Sequence, residues 1–356
     1  MMDMHIPPGE LPLLDPRTPG YATLLDRFLA PAAAADVPLG LGPTATLAGL
    51  TEVLHWAIRG QSADETASVW LEYLRWARVL GLPVESEAPA PPRSDWENLA
   101  ADGASWSTDT LDAATATALP LAQMQYPARH ELPWADSSAF LPRLVPVALY
   151  PVASVAHLGQ LAANVTALTH GSPEALATGV AWVILLRSVL GASDTDQRAP
   201  EILRSACASV LQMTPTELDD GPAAQRGLRD QYAAMGGSLR GIGALFVKAP
   251  CTVEMLRDIT QKHPSSPTRW NTDDAPECVR DLHGALSANL GHVVEDSISA
   301  RATGLSDVVR GALNQDQRTR VTLPRNFDDP LRLVWERWVT LAGDEGLLGS
   351  STHENG

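Results

Sequence analysis

Thr166-Ala167-Leu168-Thr169-His170-Gly171-Ser172-Pro173-Glu174-Ala175 joins two strongly apolar segments, residues 154–168 and 174–190, and each is long enough to be a helix. Gly171 can take the left-handed conformation that commonly closes a helix. Ser172 suits the cap of the next helix, Pro173 its first position, and Glu174 the positive end of its dipole. His170 is then pinned between the negative end of one helix and the positive end of another. Such a corner places a titratable side chain at the mouth of an apolar core. A plainer role for the same histidine is to hydrogen-bond the last free carbonyls of the first helix. On these residues alone both roles stay open.

Helical periodicity continues on either side of the corner. Leu47, Leu50, Leu54 and Ile58 recur at helical spacing, which predicts a helix over residues 46–59. Ser62-Ala63-Asp64-Glu65 has a capping-box arrangement and starts a second helix, running to residue 80, with Val69, Tyr73, Trp76 and Leu80 on one face. Further helices are expected over residues 111–121, 238–247, 278–301 and 331–341, with a short one near 21–29. Residues 194–231 are polar and helical in parts. No segment alternates like a strand and no repeat of fixed period occurs, so the fold class expected is all-α, a compact multi-helix bundle. Residues 1–40 are rich in Pro, Gly and Ala and are expected to be an irregular lead. One domain is expected over 41–342, with a long loop excursion at about 83–135 and a flexible tail over 343–356.

Composition narrows the partners. The net charge of −16 argues against nucleic acid and anionic membranes, both of which need a basic surface. Only Lys248 and Lys262 are lysines, so nearly all positive charge is arginine. Three scattered cysteines suit neither a disulfide framework nor a zinc site and fit a reducing compartment. The first residues show no basic-then-apolar signal, and the apolar region 144–168 is broken by Pro146, Pro151, His157, Gln160 and Asn164, a pattern of buried core rather than membrane span. A soluble, cytoplasmic protein acting on a small molecule is expected, while oligomeric state is not readable. Ten tryptophans against four phenylalanines are unusual; most suit the core, and some could line a pocket for a flat or cationic ligand.

The run Ala167 to Ala175 closely matches the Leu-Thr-His-Gly-x-Pro hallmark of the ADP-ribosylglycohydrolase family, which includes the dinitrogenase-reductase-activating glycohydrolases. Arg143-Leu144-Val145-Pro146-Val147 resembles that family's Met-Arg-x-x-Pro segment, and Asp136-Ser137-Ser138 lies where a substrate-loop Asn or Asp usually stands. Residues 69–76 are similar to a helix of one branch of the family, and Leu323-Pro324 before a final helix also fits.

The resemblance implies two magnesium ions held by carboxylates, since hard dications demand oxygen ligands and a close pair can orient a substrate and activate water. In the family these carboxylates come from a Thr-Asp-Asp run at a helix start and an Asp-x-Asp-Thr/Ser run late in the chain. Here the first position is Pro43-Thr44-Ala45-Thr46, with no carboxylate. The second is Val294-Glu295-Asp296-Ser297, where only Asp296 and Ser297 match. One aspartate of four cannot neutralise two dications, so the dinuclear site is expected to be lost, leaving no metal and no cofactor.

The expected catalytic residues are Asp136, His170 and Asp296, with Arg143, Ser137 and Thr44 contacting substrate. An imidazole suits acid–base work near neutral pH. Two other outcomes compete: an active ADP-ribosyl hydrolase that keeps one ion or recruits Asp273 and Asp274, and a non-catalytic binding or regulatory protein. Thr272-Asp273-Asp274 with Glu277 also imitates the aspartate-rich motif of class I terpene synthases, though acidic pairs recur at Asp219-Asp220 and Asp328-Asp329. Thr108-Asp109-Thr110 is best taken as a helix cap.

Overall fold

The structure, a computed structural model, describes residues 10–36, 40–101, 108, 111–192, 197–213, 239–261, 274–290, 299–314 and 321–344. The described residues are helical, with two isolated bridges, Glu10 to Ser154 and Tyr126 to Arg129, and no strand. The all-α expectation holds.

The chain begins with α1 (Pro19–Ala22), a π-helical turn (Leu25–Leu29) and α2 (Ala30–Ala35). Tyr21, Leu25, Phe28, Leu29 and Ala32 are all buried. Residues 19–36 of the stretch expected to be an irregular lead are therefore helical and part of the core. Its apolar residues are too few for a clear period, and Pro31 and the alanines resemble a linker when read in isolation.

Next come α3 (Leu41–Ile58) and α4 (Glu65–Val79), packed as an antiparallel pair. The cap of α4 is Asp64, which accepts the Ala67 N–H at 2.8 Å, and not Ser62 as the expected capping box has it, so Glu65 is the first helical residue rather than the reciprocal partner. The excursion contains α5 (Asp95–Ala101) and α6 (Ala113–Ala118), the latter capped by Asp112, which accepts Thr115 N–H at 2.9 Å. After α7 (Leu141–Leu144) and a 3-10 turn (Val145–Leu149), the corner that anchors the sequence reading joins α8 (Val155–Ala167) to α9 (Pro173–Ala192). Ser172 caps α9 by accepting Ala175 N–H at 3.1 Å, with Pro173 in the first turn.

Helix α9 is the axis of the molecule. It is long and apolar enough to cross a membrane, yet 83% of its most apolar window is buried inside the protein. It is a core helix, and α8 packs along it. On its other sides lie α10 (Ala199–Met213), α11 (Leu239–Val247), α12 (Pro250–Thr260) and α13 (Glu277–Leu290). Trp182 at its centre is fully enclosed and donates Nε1–H to Leu141 O at 2.9 Å. Arg187, also enclosed, donates to the carbonyls of Ala148, Tyr150 and Val152, satisfying the end of the 3-10 turn.

Two last helices close the body. α14 (Ala300–Ala312) packs on α13 and on the π-turn and α2. α15 (Arg325–Ala342) crosses α3 and α5. The expected helix over 278–301 is thus two helices, and residues 291–298 lie outside the described part. The final helix starts before the expected residue 331: Pro330 falls in its second turn, where its missing N–H removes one helical hydrogen bond without ending the helix.

Candidate functional site

His170 does not sit at a mouth. It is fully buried, its ring 5.0 Å from that of Phe140. Thr169 Oγ1 lies 2.9 Å from Nδ1, and Ser137 Oγ lies 2.8 Å from Nε2. Ser137 Oγ in turn donates to Asp112 Oδ1 at 2.7 Å. A serine hydroxyl has one proton, so with that proton on Asp112 it must accept from Nε2–H. This fixes the imidazole tautomer: Nε2 carries the proton and Nδ1 accepts from Thr169.

The second oxygen of Asp112 is served from another direction. Oδ2 accepts from Thr115 N–H and from Thr115 Oγ1, each at 2.9 Å, and lies 3.4 Å from His170 Nε2. Thr115 Oγ1 accepts from Arg143 Nη1 at 2.8 Å. Arg143 continues inward through Nε to Asp36 Oδ1 at 3.2 Å, stands 4.8 Å over the Trp76 ring, and is enclosed with its partner. Asp36 Oδ2 closes the chain by accepting Gly42 N–H at 3.0 Å. Two arms therefore converge on one carboxylate. One runs from Thr169 through His170 and Ser137; the other runs from Asp36 through Arg143 and Thr115.

Electrostatics follow from this wiring. Burial pushes the His170 pKa below its ordinary 6.5; Asp112 opposes the shift, and the Arg143 and Arg301 guanidiniums add to it. Burial works against charge on Asp112, but the His170 N–H, the Thr115 N–H and the Ser137 hydroxyl hold its carboxyl far below the ordinary 3.8. At neutral pH the pair is a neutral ring and an anion, bridged by the Ser137 hydroxyl. The side chain of Asp112 is 14% exposed and that of His170 0%, so the carboxylate is the member that can meet a ligand.

The expected site residues fall into three groups. Ser137 and Asp136 are partly exposed beside Asp112, and the Asp136 carbonyl accepts Cys278 N–H at 3.1 Å, which ties this turn to α13. Arg143, His170 and Thr44 are enclosed. Asp296 and Asp273 lie outside the described residues, as do Asp109 and Thr110. Beside Ser137, Ser138 Oγ bonds Asp281 and lies 3.0 Å from Glu277 Oε1, which Arg301 Nη1 reaches at 3.2 Å.

Asp112 was missed by sequence reasoning. Its only local signal is the Asp-x-x-Thr spacing of a helix cap, which many surface aspartates share. His130 was also missed, and it takes the role considered for His170: Nε2 donates to Ala167 O at 2.6 Å, while Nδ1 accepts Leu132 N–H at 2.8 Å. Gly171, expected in the left-handed region, is not among the glycines with positive φ. Its hydrogen is needed for space, because a Cβ there would stand 2.3 Å from His130 Cγ.

This helical scaffold, built around the Thr169-His170-Gly171-Ser172-Pro173 corner, matches the ADP-ribosylglycohydrolase family model over residues 44–257, more than half of the chain. The chain belongs to that family. Searches of curated proteins and of solved structures return no match.

Family membership raises the question of a metal pair, and the donor set at the start of α3 does not fit one. Thr44, Ala45 and Thr46 are all enclosed, and Thr46 Oγ1 is engaged with Tyr73 Oη at 3.0 Å. Thr44 Oγ1 is buried without a hydrogen-bond partner among the described residues, but one hydroxyl cannot hold a hard dication. Asp36, the carboxylate beside this turn, is already neutralised by Arg143. Among the described residues no group of three or more His, Cys, Asp or Glu side chains could hold a metal ion.

Proposed function

We propose that this protein is an enzyme on the ADP-ribosylglycohydrolase scaffold that acts on a small molecule without a dinuclear magnesium centre, and that Asp112 is its working carboxylate. The observation that carries the proposal is the convergence of two buried arms on a single, partly exposed anion. A carboxylate whose pKa is held this low is a weak base and a strong fixed negative charge. It suits a reaction in which positive charge develops on the substrate, as in cleavage of a glycosidic bond through an oxocarbenium-like transition state.

Ser137 is a bridge in this scheme and not an activated nucleophile, because its lone pair faces the N–H of His170 and its proton faces Asp112. His170 and Arg143 are positioning residues; Asp136 and Ser137 are the neighbours able to touch the ligand. The acid–base role expected of His170 passes to groups nearer the solvent. No cofactor is invoked, and a small molecule is the only partner this site calls for.

The test uses EDTA-treated protein with small N-ribosyl and ADP-ribosyl compounds as probes, reading release of the ribosyl group by chromatography. Turnover is expected to be indifferent to EDTA and to fall by about a hundredfold or more in Asp112→Asn while the fold persists. Turnover that returns only with magnesium, or that survives Asp112→Asn, contradicts the proposal.

One observation favours a second reading. Both Asp112 oxygens are hydrogen-bonded within the protein, so the carboxylate can serve as a cap alone, in a protein that binds a ligand without changing it. Asp112→Asn would then lower stability and leave ligand affinity intact.

A further inference from the structure

A cleft of about 640 Å³ lies between α3, α4, the segment 89–94, α5 and α15, away from the Asp112 network. Its size falls within the roughly 300–1,000 Å³ of small-molecule sites. Helix α4 is the wall between the two regions. Tyr73 and Trp76 face the Arg143 side, whereas Glu72 and Arg75 line the cleft.

The cleft has a built polar floor. Glu72 is buried, and its two oxygens accept from Arg75 Nη1 at 2.5 Å and from Trp96 Nε1 at 2.8 Å. Arg75 is held a second time, by Nε donating to Pro92 O at 2.9 Å. Its remaining nitrogen, Nη2, has no acceptor among the described residues and is not a closed-off atom. A guanidinium fixed along one edge and open at the other is a preorganised donor, with little rotamer entropy left to lose on binding. Trp56 offers a half-buried indole, and Leu71 and Val334 supply apolar wall.

Charge at the rim selects the ligand's sign. The carboxylates are engaged: Glu72 as described, and Glu52 at 3.6 Å from Arg337. Asp95 stands in the first turn of α5, where the helix dipole favours an anion. The open donor belongs to Arg75; Arg93 lies at the edge, and Arg337 is the partner of Glu52.

We propose that this cleft is a second small-molecule site, for a flat aromatic anion whose ring lies against Trp56 and whose carboxylate or related acidic group meets Arg75 Nη2. The site is independent of the chemistry at Asp112. The test is calorimetric titration of 2-naphthoate, with neutral 2-naphthylmethanol as the charge control, into the full chain.

Naphthoate is expected to saturate one site and the alcohol to bind at least tenfold more weakly. Arg75→Gln should weaken naphthoate at least tenfold, and Ser68→Trp, which fills the cleft, should abolish binding. Asp112→Asn should leave it unchanged, which separates this site from the one above. If Arg75→Gln fails to fold, the Ser68→Trp variant and the neutral analogue decide. Absence of saturable binding, equal affinity for acid and alcohol, binding that survives Ser68→Trp, or loss in Asp112→Asn would each overturn the proposal.

Discussion

The hydroxyl of Thr115 meets a donor on one side, Arg143 Nη1, and an acceptor on the other, Asp112. Its proton can therefore point only one way, and the same holds for Ser137 on the opposite arm. Asp112 is anionic because these orientations agree. The pH dependence of folding should report this. The folded pKa of His170 is below 6.5, so in the window beneath 6.5 the unfolded chain binds more protons than the folded one. The stability contributed by the neutral ring is thus fully present above 6.5 and is lost as pH falls towards the lowered folded value. Asp112 acts in the same sense further down, its contribution present above 3.8 and lost as pH falls through its depressed value. His157, raised by its Glu65 partner, acts the other way. Thermal melts of His170→Gln between pH 5 and 7 should therefore fall less steeply on acidification than those of the wild type. Equal slopes would contradict a buried neutral imidazole. The Arg143–Asp36 pair makes a second residue-scale prediction. Arg143→Met strands a buried carboxylate and should cost about 3–5 kcal/mol by urea denaturation, with part of the loss recovered when Asp36→Asn is added. A cost below about 1 kcal/mol would show that the pair is not a closed unit.

At the level of elements, the α8–α9 corner shows what spacing can and cannot reveal. The Ser172 cap and Pro173 were legible, because capping chemistry lies within three residues of sequence. The corner's distant partners were not, since Ser137 and Asp112 at His170, and His130 at Ala167, come from 33 or more positions away. Gly171 was singled out for the wrong reason: its neighbour in space, and not its φ, excludes a side chain. Gly171→Ala should push the His130 ring off the Ala167 carbonyl and cost about 1–3 kcal/mol. In a double-mutant cycle with His130→Ala, chemical denaturation should give a total below the sum of the single losses. Strict additivity would mean that the two residues do not compete for the same space.

Across the whole molecule, the all-α class was legible because strand alternation is missing and helical periods recur through the chain. The integral place of residues 19–36 and the contribution of α6 to the site were not legible, because both depend on contacts between distant segments. The start of α3 presents a threonine, an alanine and another threonine, all enclosed, and the nearby Asp36 carboxylate is paired with Arg143. The central claim is that this interior is balanced without a pair of dications. Calorimetric titration of magnesium into chelator-treated full-length protein tests it most directly. The account predicts no saturable binding below the millimolar range and no rise in melting temperature with added magnesium. Two tightly bound ions per chain, accompanied by stabilisation, would contradict it.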